Sequence, residues 1–323
     1  MAESLLAFAQ SVKVSTCRVR NTPNLIFLCG GPPQNQGSPK RYRSVRDYFI
    51  RYVKANKPTI APRLRLAEDI GRWLDHERFT DLLEVENYLA DLAEIIILFV
   101  ESPGSIAELG AFSALTTVQP KILAVVNKKF DGPSFIADGP VRRLQELAGS
   151  AVYKYFWNPA TRRLNDRSNL DVFKEMSEEL CDVLQHREDD QLKEPSLDLK
   201  SHGHTMLMVA DLIDIVFAAT MTDIQDCLRA LGREVDKPTL QKYLFLLEDL
   251  RIIKEEYLNG SFYVSGGGGP YIAYDFSAGA LVKDRERAKF LIRSSLDETR
   301  ARILKRYLRQ ANPLLGTSEA DHV

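Results

Sequence analysis

Residues 95–114, IIILFVESPGSIAELGAFSA, set an apolar run, a Gly-Ser turn and a helix-like segment in a row. The unbroken run Ile95 to Val100 is the pattern of a strand covered on both faces, as in a parallel sheet. Pro103 and Gly104 end it. Ser105 can cap the following helix, and Glu108 stands three residues later, at capping-box spacing. Two roles for Glu108 are open. In one, its carboxylate reaches back to the Ser105 backbone N–H, and Gly110 lets the helix pack closely on the sheet. In the other, it points into the crevice beyond the strand's carboxyl end, where open α/β sheets bind ligands. A carboxylate there can attack an anomeric carbon or steady an oxocarbenium-like centre. Gly104 and the N–H groups of the helix start could hold a sugar or phosphate oxygen.

The 323 residues are 45% hydrophobic and 27% charged, enough for one large or two modest domains with a sizeable core. A net charge of −1 favours no particular partner, but it conceals local asymmetry. No apolar run approaches the roughly 20 residues that cross a bilayer. At the start, MAESLLAFAQSVK carries Glu3 and only a short apolar core, which speaks against a signal peptide. A cytoplasmic location without membrane association is therefore expected. Cys17, Cys29, Cys181 and Cys227 are scattered, and the five histidines form no paired motif except His202 and His204 in a polar stretch. Neither a disulfide framework nor a metal site is expected.

A first strand is expected at Asn24 to Cys29, followed by the turn Gly30-Gly31-Pro32-Pro33, whose glycines allow a ligand to approach the backbone. Neither a dinucleotide fingerprint nor a P-loop is present, and a plain loop is the alternative. Lys40 to Arg65 holds nine Lys or Arg, among them Arg41, Arg43 and Arg46, against the single acid Asp47. Such a segment suits a nucleic-acid backbone, dinucleotide phosphates or an acidic partner face, or else it is a solvated face. Helical patterns run over 64–74 and 79–93. A further strand spans Ile122 to Val126 and ends in Asn127, which could hydrogen-bond a ribose or amide or make an Asx-turn. A last strand at Val152 to Phe156 and a helix from Leu170 to His186 complete the domain, with a charged linker after it.

From Gly203 the pattern changes. Helices are expected at 207–219, at 221–231 with Thr222 as cap, and at 237–250. The third presents Leu240, Leu244 and Leu247 on one face, with Thr239, Gln241 and Lys242 near its start. A hairpin over Asn259-Gly260 follows. Three helices plus a hairpin read as a winged helix-turn-helix, and Thr239, Gln241 and Lys242 are its candidate nucleic-acid or partner contacts. Gly266 to Gly269 reads as a hinge. Lys283 to Arg309 reads as a helix with ten Lys or Arg against four acids, which could cover an apolar face of its own domain or grip nucleic acid. The division expected is 1–190, a linker at 191–202, a domain at 203–275 and a basic helical tail at 276–323.

The pattern Gly104-Ser105-x-x-Glu108-Leu109-Gly110 resembles the Gly-Thr-x-x-Glu-x-Gly signature of nucleoside 2-deoxyribosyltransferases. The longer ESPGSIAELGAF is similar to a branch of that superfamily found as toxic effectors of bacterial retrons. The resemblance implies an α/β, Rossmann-like (flavodoxin-like) parallel-sheet domain joined to an α+β winged helix-turn-helix domain. It implies Glu108 as nucleophile, with Asp69 and Glu101 as further catalytic candidates. Cys29, Gly30, Gly31, Ser102, Gly104, Ser105 and Asn127 become candidate substrate contacts. Ser102 stands where the deoxyribosyltransferases commonly have an Asp, six residues before the nucleophile. This departure disfavours simple base exchange and favours a substrate with a good leaving group, such as NAD, taken as substrate and not as cofactor. The implied partners are a reverse transcriptase and its multicopy single-stranded DNA or RNA, in an oligomeric complex. Alternatives are a nucleotide-sensing DNA-binding regulator without turnover, and a toxin that removes or transfers a base of nucleic acid.

Overall fold

The structure, a computed structural model, describes residues 2–33, 41–66, 68, 79–147, 152–160, 164–190 and 194–311. The described chain runs α1 (Ala2–Ser11), β1 (Arg18–Val19), β2 (Ile26–Cys29), α2 (Val45–Asn56), β3 (Leu64–Leu66), α3 (Leu82–Leu92), β4 (Ile95–Val100), α4 (Pro103–Ala114), β5 (Ile122–Asn127), α5 (Arg142–Leu147) and β6 (Val152–Tyr155). It continues with α6 (Arg167–Asp190), α7 (His202–Val216), α8 (Met221–Ala230), α9 (Lys237–Asp249), β7 (Ile253–Tyr257), β8 (Ser261–Ser265), β9 (Ile272–Ala273), α10 (Arg285–Arg293) and α11 (Glu298–Ala311). Two compact units result: 22–194 with 201–203, and 1–21 with 195–200 and 204–323.

In the first unit five parallel strands lie in the order β3-β2-β4-β5-β6. Ile26 stands beside Leu64 on one side and Ile95 on the other, and Ile96 pairs with Ile122. Every residue of β2, β4 and β5 is buried, which explains why their sequences are continuously apolar and do not alternate. Side chains nevertheless alternate between two covers. Ile26, Leu28, Ile97, Phe99, Leu123 and Val125 pack with Phe49 of α2 and Phe173 and Leu180 of α6. Phe27 meets Phe112 of α4, with ring centroids 6.4 Å apart. The chain leaves β2 outward to β3, then returns past β2 to β4. Connections therefore diverge between β2 and β4, the kind of point where ligand crevices open.

The helix expected over 64–74 begins instead as a strand. Leu64–Leu66 pairs with β2 in parallel, because Leu64 packs into the core while its neighbour Arg65 donates to the carbonyls of Pro62 and Leu64.

The second unit holds α1, β1 and most of the chain after residue 203. Helices α7, α8 and α9 precede the antiparallel hairpin β7–β8, in which Ile253 pairs with Ser265 and Tyr257 with Ser261. Asn259 and Gly260 take positive φ, 54° and 152°, as the turn between them requires. Thr220, not Thr222, caps α8, in a reciprocal capping box with Asp223. The amino terminus belongs here and not with the sheet: Arg18 and Val19 of β1 pair with Ala273 and Ile272 of β9, and α1 packs on α8 and α10. Part of the linker is likewise tied down, since the Val19 N–H donates to Pro195 O (2.8 Å) and the Leu197 N–H to Cys17 O (2.9 Å). The first residue of the glycine run is held to the hairpin start. The Gly266 N–H donates to Ile252 O (2.8 Å), and a Cβ there would stand 2.4 Å from Arg251 O. The basic tail forms two helices, not one; Asp297 accepts the Arg300 N–H at 2.9 Å and starts the second.

No described helix is long and apolar enough to cross a membrane. Among the described residues no group of three His, Cys, Asp or Glu is arranged to hold a metal ion.

Candidate functional site

Helix α4 starts three residues earlier than its sequence suggests. Ser102 is the cap, with Pro103 in the first turn, where a missing N–H costs nothing. Ser102 Oγ accepts the Ser105 N–H (3.2 Å), and Ser105 Oγ accepts the Ser102 N–H (2.9 Å) and the Glu101 N–H (3.1 Å). The capping box is therefore Ser102 with Ser105, and Glu108 takes no part in it. The helix start also has little left for an anion: the Ser105 and Ile106 N–H groups are taken by Ser102, and Pro103 has none.

Glu108 lies one turn further on and is half-buried. Its Oε2 is enclosed and has no hydrogen-bond partner among the described residues. Burial pushes its carboxyl up to about 7; Glu86 and Glu68 push the same way, and Arg46 opposes them. Glu86, half-buried on α3, is likewise raised to about 7, by burial and then by Glu68. Two carboxyl groups thus exchange protons near neutrality in one place. Cys29 at the end of β2 feels both: burial first, then the charges of Glu108 and Glu86, push its thiol well up, so it stays protonated.

Glu101 is a clasp. Its carboxylate accepts the N–H groups of Gly31 (3.0 Å), Val45 (2.7 Å) and Arg46 (3.1 Å), tying the ends of β2 and β4 to the start of α2. Gly31 must be glycine for this, because a Cβ would lie 2.7 Å from Ser44 Cβ and 3.0 Å from the Glu101 carboxyl carbon. Gly30 has φ 153°, and a Cβ there would press on Phe99 and Arg46 at 3.0 and 3.2 Å. Arg46 itself is fully buried, so it is not part of an exposed nucleic-acid or partner surface. Its guanidinium donates to Gly31 O (2.7 Å), Leu28 O (3.1 Å) and the Glu68 carboxylate.

The other expected residues divide as follows. Asn127 is fully buried, with its amide on Trp157 O (2.8 Å) and its Oδ1 on the Lys129 N–H (2.9 Å), an Asx-turn and not an open ligand contact. Gly104 is exposed in the first turn of α4. Arg41 and Arg43 are exposed, while their neighbours Arg51 and Arg63 pair with Asp47 (2.9 Å) and Glu94 (3.3 Å), which reduces the basic surface of this segment. In the second unit Gln241 is exposed, and Thr239 and Lys242 are half-buried. Asp69 lies outside the described residues. Sequence inspection missed Glu86 and the inward role of Arg46. The one signal for Arg46 was its place beside Val45, Phe49 and Ile50 on the apolar side of α2.

Fold and site together define an α/β protein whose parallel sheet carries, near its strand ends, a cluster of interacting carboxyl groups with one buried guanidinium. Residues 42–255 match the STM3845 retron effector protein family. The chain belongs to that family. It is 34% identical over 160 residues to the "Retron Ec86 putative ribosyltransferase/DNA-binding protein" of Escherichia coli, a match covering 49% of each chain. It is 27% identical over 267 residues to the Ec73 protein of the same designation and organism, covering 79% of this chain and 81% of that one.

Proposed function

We propose that the chain is a retron effector that cleaves an N-glycosidic bond of a nucleotide, with NAD as the foremost candidate and Glu108 as the nucleophile. The observation that carries this is the pair Glu108 and Glu86: two carboxyl groups raised to about 7 at the strand ends of a parallel sheet, one with an enclosed, unpartnered oxygen. Arg46 favours charge on Glu108 and is not among the groups acting on Glu86. Both carboxyl groups are raised to about 7, so each has its charged and its neutral form near neutrality. In this reading the motif position of Glu108 makes it the attacking group and Glu86 the one that takes a proton. Glu108 attacks the anomeric carbon as the C–N bond breaks. Its electron pair leaves on nicotinamide, which departs neutral from a cationic linkage and needs no acid. Water then attacks the glycosyl ester, Glu86 takes its proton, and Glu108 is released.

The strand order β3-β2-β4-β5-β6 supports a flavodoxin-like reading of the sheet. Helices α7–α9 with hairpin β7–β8 fit a winged helix-turn-helix, and the two relatives' names include DNA binding. In this picture the effector acts in the cytoplasm within an oligomeric complex, and a reverse transcriptase and its multicopy single-stranded DNA restrain it until infection. The same helices and names favour a second possibility, a nucleotide-sensing DNA-binding regulator. Turnover separates the two. Purified chain, alone and with reverse transcriptase and its DNA, is incubated with NAD and with deoxynucleosides, and free base is followed by chromatography. Nicotinamide release that disappears in Glu108→Gln supports the glycohydrolase, whereas intact ligands throughout favour the sensor.

A further inference from the structure

Arg46 is an unusual group to find without solvent contact. A buried guanidinium needs a full set of acceptors, since an unpaired buried charge costs several kcal/mol. Two acceptors here are main-chain carbonyls, Gly31 O at 2.7 Å and Leu28 O at 3.1 Å, which fix the guanidinium plane at the end of β2. The third is different in kind. It is the carboxylate of Glu68, 46% exposed, two residues past the end of β3. The guanidinium has five N–H groups, and among the described residues three find partners. Among the described residues the only ionic partner of this buried guanidinium is thus a partly exposed and replaceable carboxylate, and both charges act on Glu108.

We propose that Arg46 is the anion-binding group of this site, and that Glu68 holds the place taken by a phosphate of the substrate. The inference rests on the glycosidase reading for where the substrate lies, but the anion site itself does not depend on turnover. A phosphate offers the fork-shaped guanidinium more oxygens than a carboxylate does. The exchange also solves a charge problem. Glu86 and Glu68 already raise Glu108, with Arg46 the one cation opposing them, so a phosphate added to all three carboxyl groups would be repelled, whereas one that displaces Glu68 replaces an anion with an anion. The glycines let Arg46 itself come close to the end of β2: at Gly30 and Gly31 any side chain would collide with Arg46, Phe99, Ser44 or Glu101. The class of substrate follows. It is a phosphorylated nucleoside, with the phosphate on Arg46 and the anomeric carbon toward Glu108, and not a neutral nucleoside.

Base-free probes test this independently of chemistry. Isothermal titration of the full chain with ribose 5-phosphate, inorganic phosphate and ribose compares wild type, Glu68→Gln and Arg46→Lys. Ribose 5-phosphate and phosphate should bind wild type, and on the order of fivefold more tightly in Glu68→Gln, where the competing ion pair is gone. Ribose should show no such gain, and Arg46→Lys should lose the preference for phosphate. Gln at position 68 keeps a carbonyl oxygen that can accept from the Arg46 guanidinium, and the side chain is partly exposed, so this variant keeps the fold even if the Arg46 variant does not. Equal affinity of wild type and Glu68→Gln for ribose 5-phosphate, or no phosphate binding to either, overturns the proposal. Phosphate binding that obeys these expectations alongside intact NAD would leave the anion site standing and remove the glycohydrolase.

Discussion

Glu108 and Glu86 are carboxyl groups that folding moves from 4.5 to about 7, chiefly by burial. Between those values the folded chain binds protons that the unfolded chain has lost, so each group's stabilising contribution is full below about 4.5 and is lost as pH rises through 7. Glu108→Gln removes one such group. It should leave stability nearly unchanged at pH 4.5 and raise it by about 1–3 kcal/mol at pH 8, which urea denaturation at both values measures. Activity should run the opposite way, because a nucleophilic carboxylate must be ionised: base release should climb as pH passes through 7. An activity that instead falls across that interval would make Glu108 an acid and not the attacking group. Gly31→Ala should destabilise the chain by about 1–3 kcal/mol through overpacking against Ser44 and Glu101. Thermal unfolding checks it, and a change below 0.5 kcal/mol, roughly the size of an ordinary surface effect, would mean that the Glu101 clasp yields easily.

Helix α3 joins two features of the first unit, since it carries Glu86 and, five residues on, Asp91. The Asp91 carboxylate accepts from Ser201 Oγ (2.9 Å) and the Gly203 N–H (2.7 Å), capping residues 201–203 of the same unit from a helix far away in sequence. Burial alone would raise its pKa, but the Gly203 amide, Lys121 and Ser201 outweigh burial and hold it below the usual carboxylate range. Its contribution is therefore present above the unfolded pKa and lost as pH falls through the lower folded one. Asp91→Ala should cost about 2–3 kcal/mol at pH 7, and less in acid, by denaturation at both pH values; an equal cost at both would separate it from this cap. Long-range caps of this kind left no trace in the sequence. Strands β2, β4 and β5 were legible because burial on both faces writes itself as apolar runs. Leu64-Arg65-Leu66 was too short to show its period, and α4 had two serines three residues apart competing to cap it. Glu108 was singled out by its motif. Glu86 and Glu68 were not, because their nearness to Glu108 exists only after the strand ends, α2 and α3 come together.

For the whole molecule, the two units imply that the amino terminus stabilises the part of the chain farthest from it in sequence. Leu5, Phe8, Ala9 and Val19 are buried, and Phe8 packs edge-on against Tyr274 at 5.3 Å. The Lys13 N–H donates to Asp275 O at 2.7 Å, and β1 completes a ladder with β9. Each fully buried large apolar side chain is worth about 1.5–3 kcal/mol, so loss of the segment is a substantial fraction of a unit's stability. Deleting residues 2–21 should therefore speed amide hydrogen exchange in 221–230 and 271–276, where α1 and β1 pack or pair, while 95–100 and 122–127 in the sheet keep their protection. Since Glu108, Glu86 and Arg46 all lie in the sheet unit, the truncated chain should also retain binding of ribose 5-phosphate. Loss of protection in β4 and β5 on this deletion would assign the amino terminus to the sheet, as its position in the sequence first suggested.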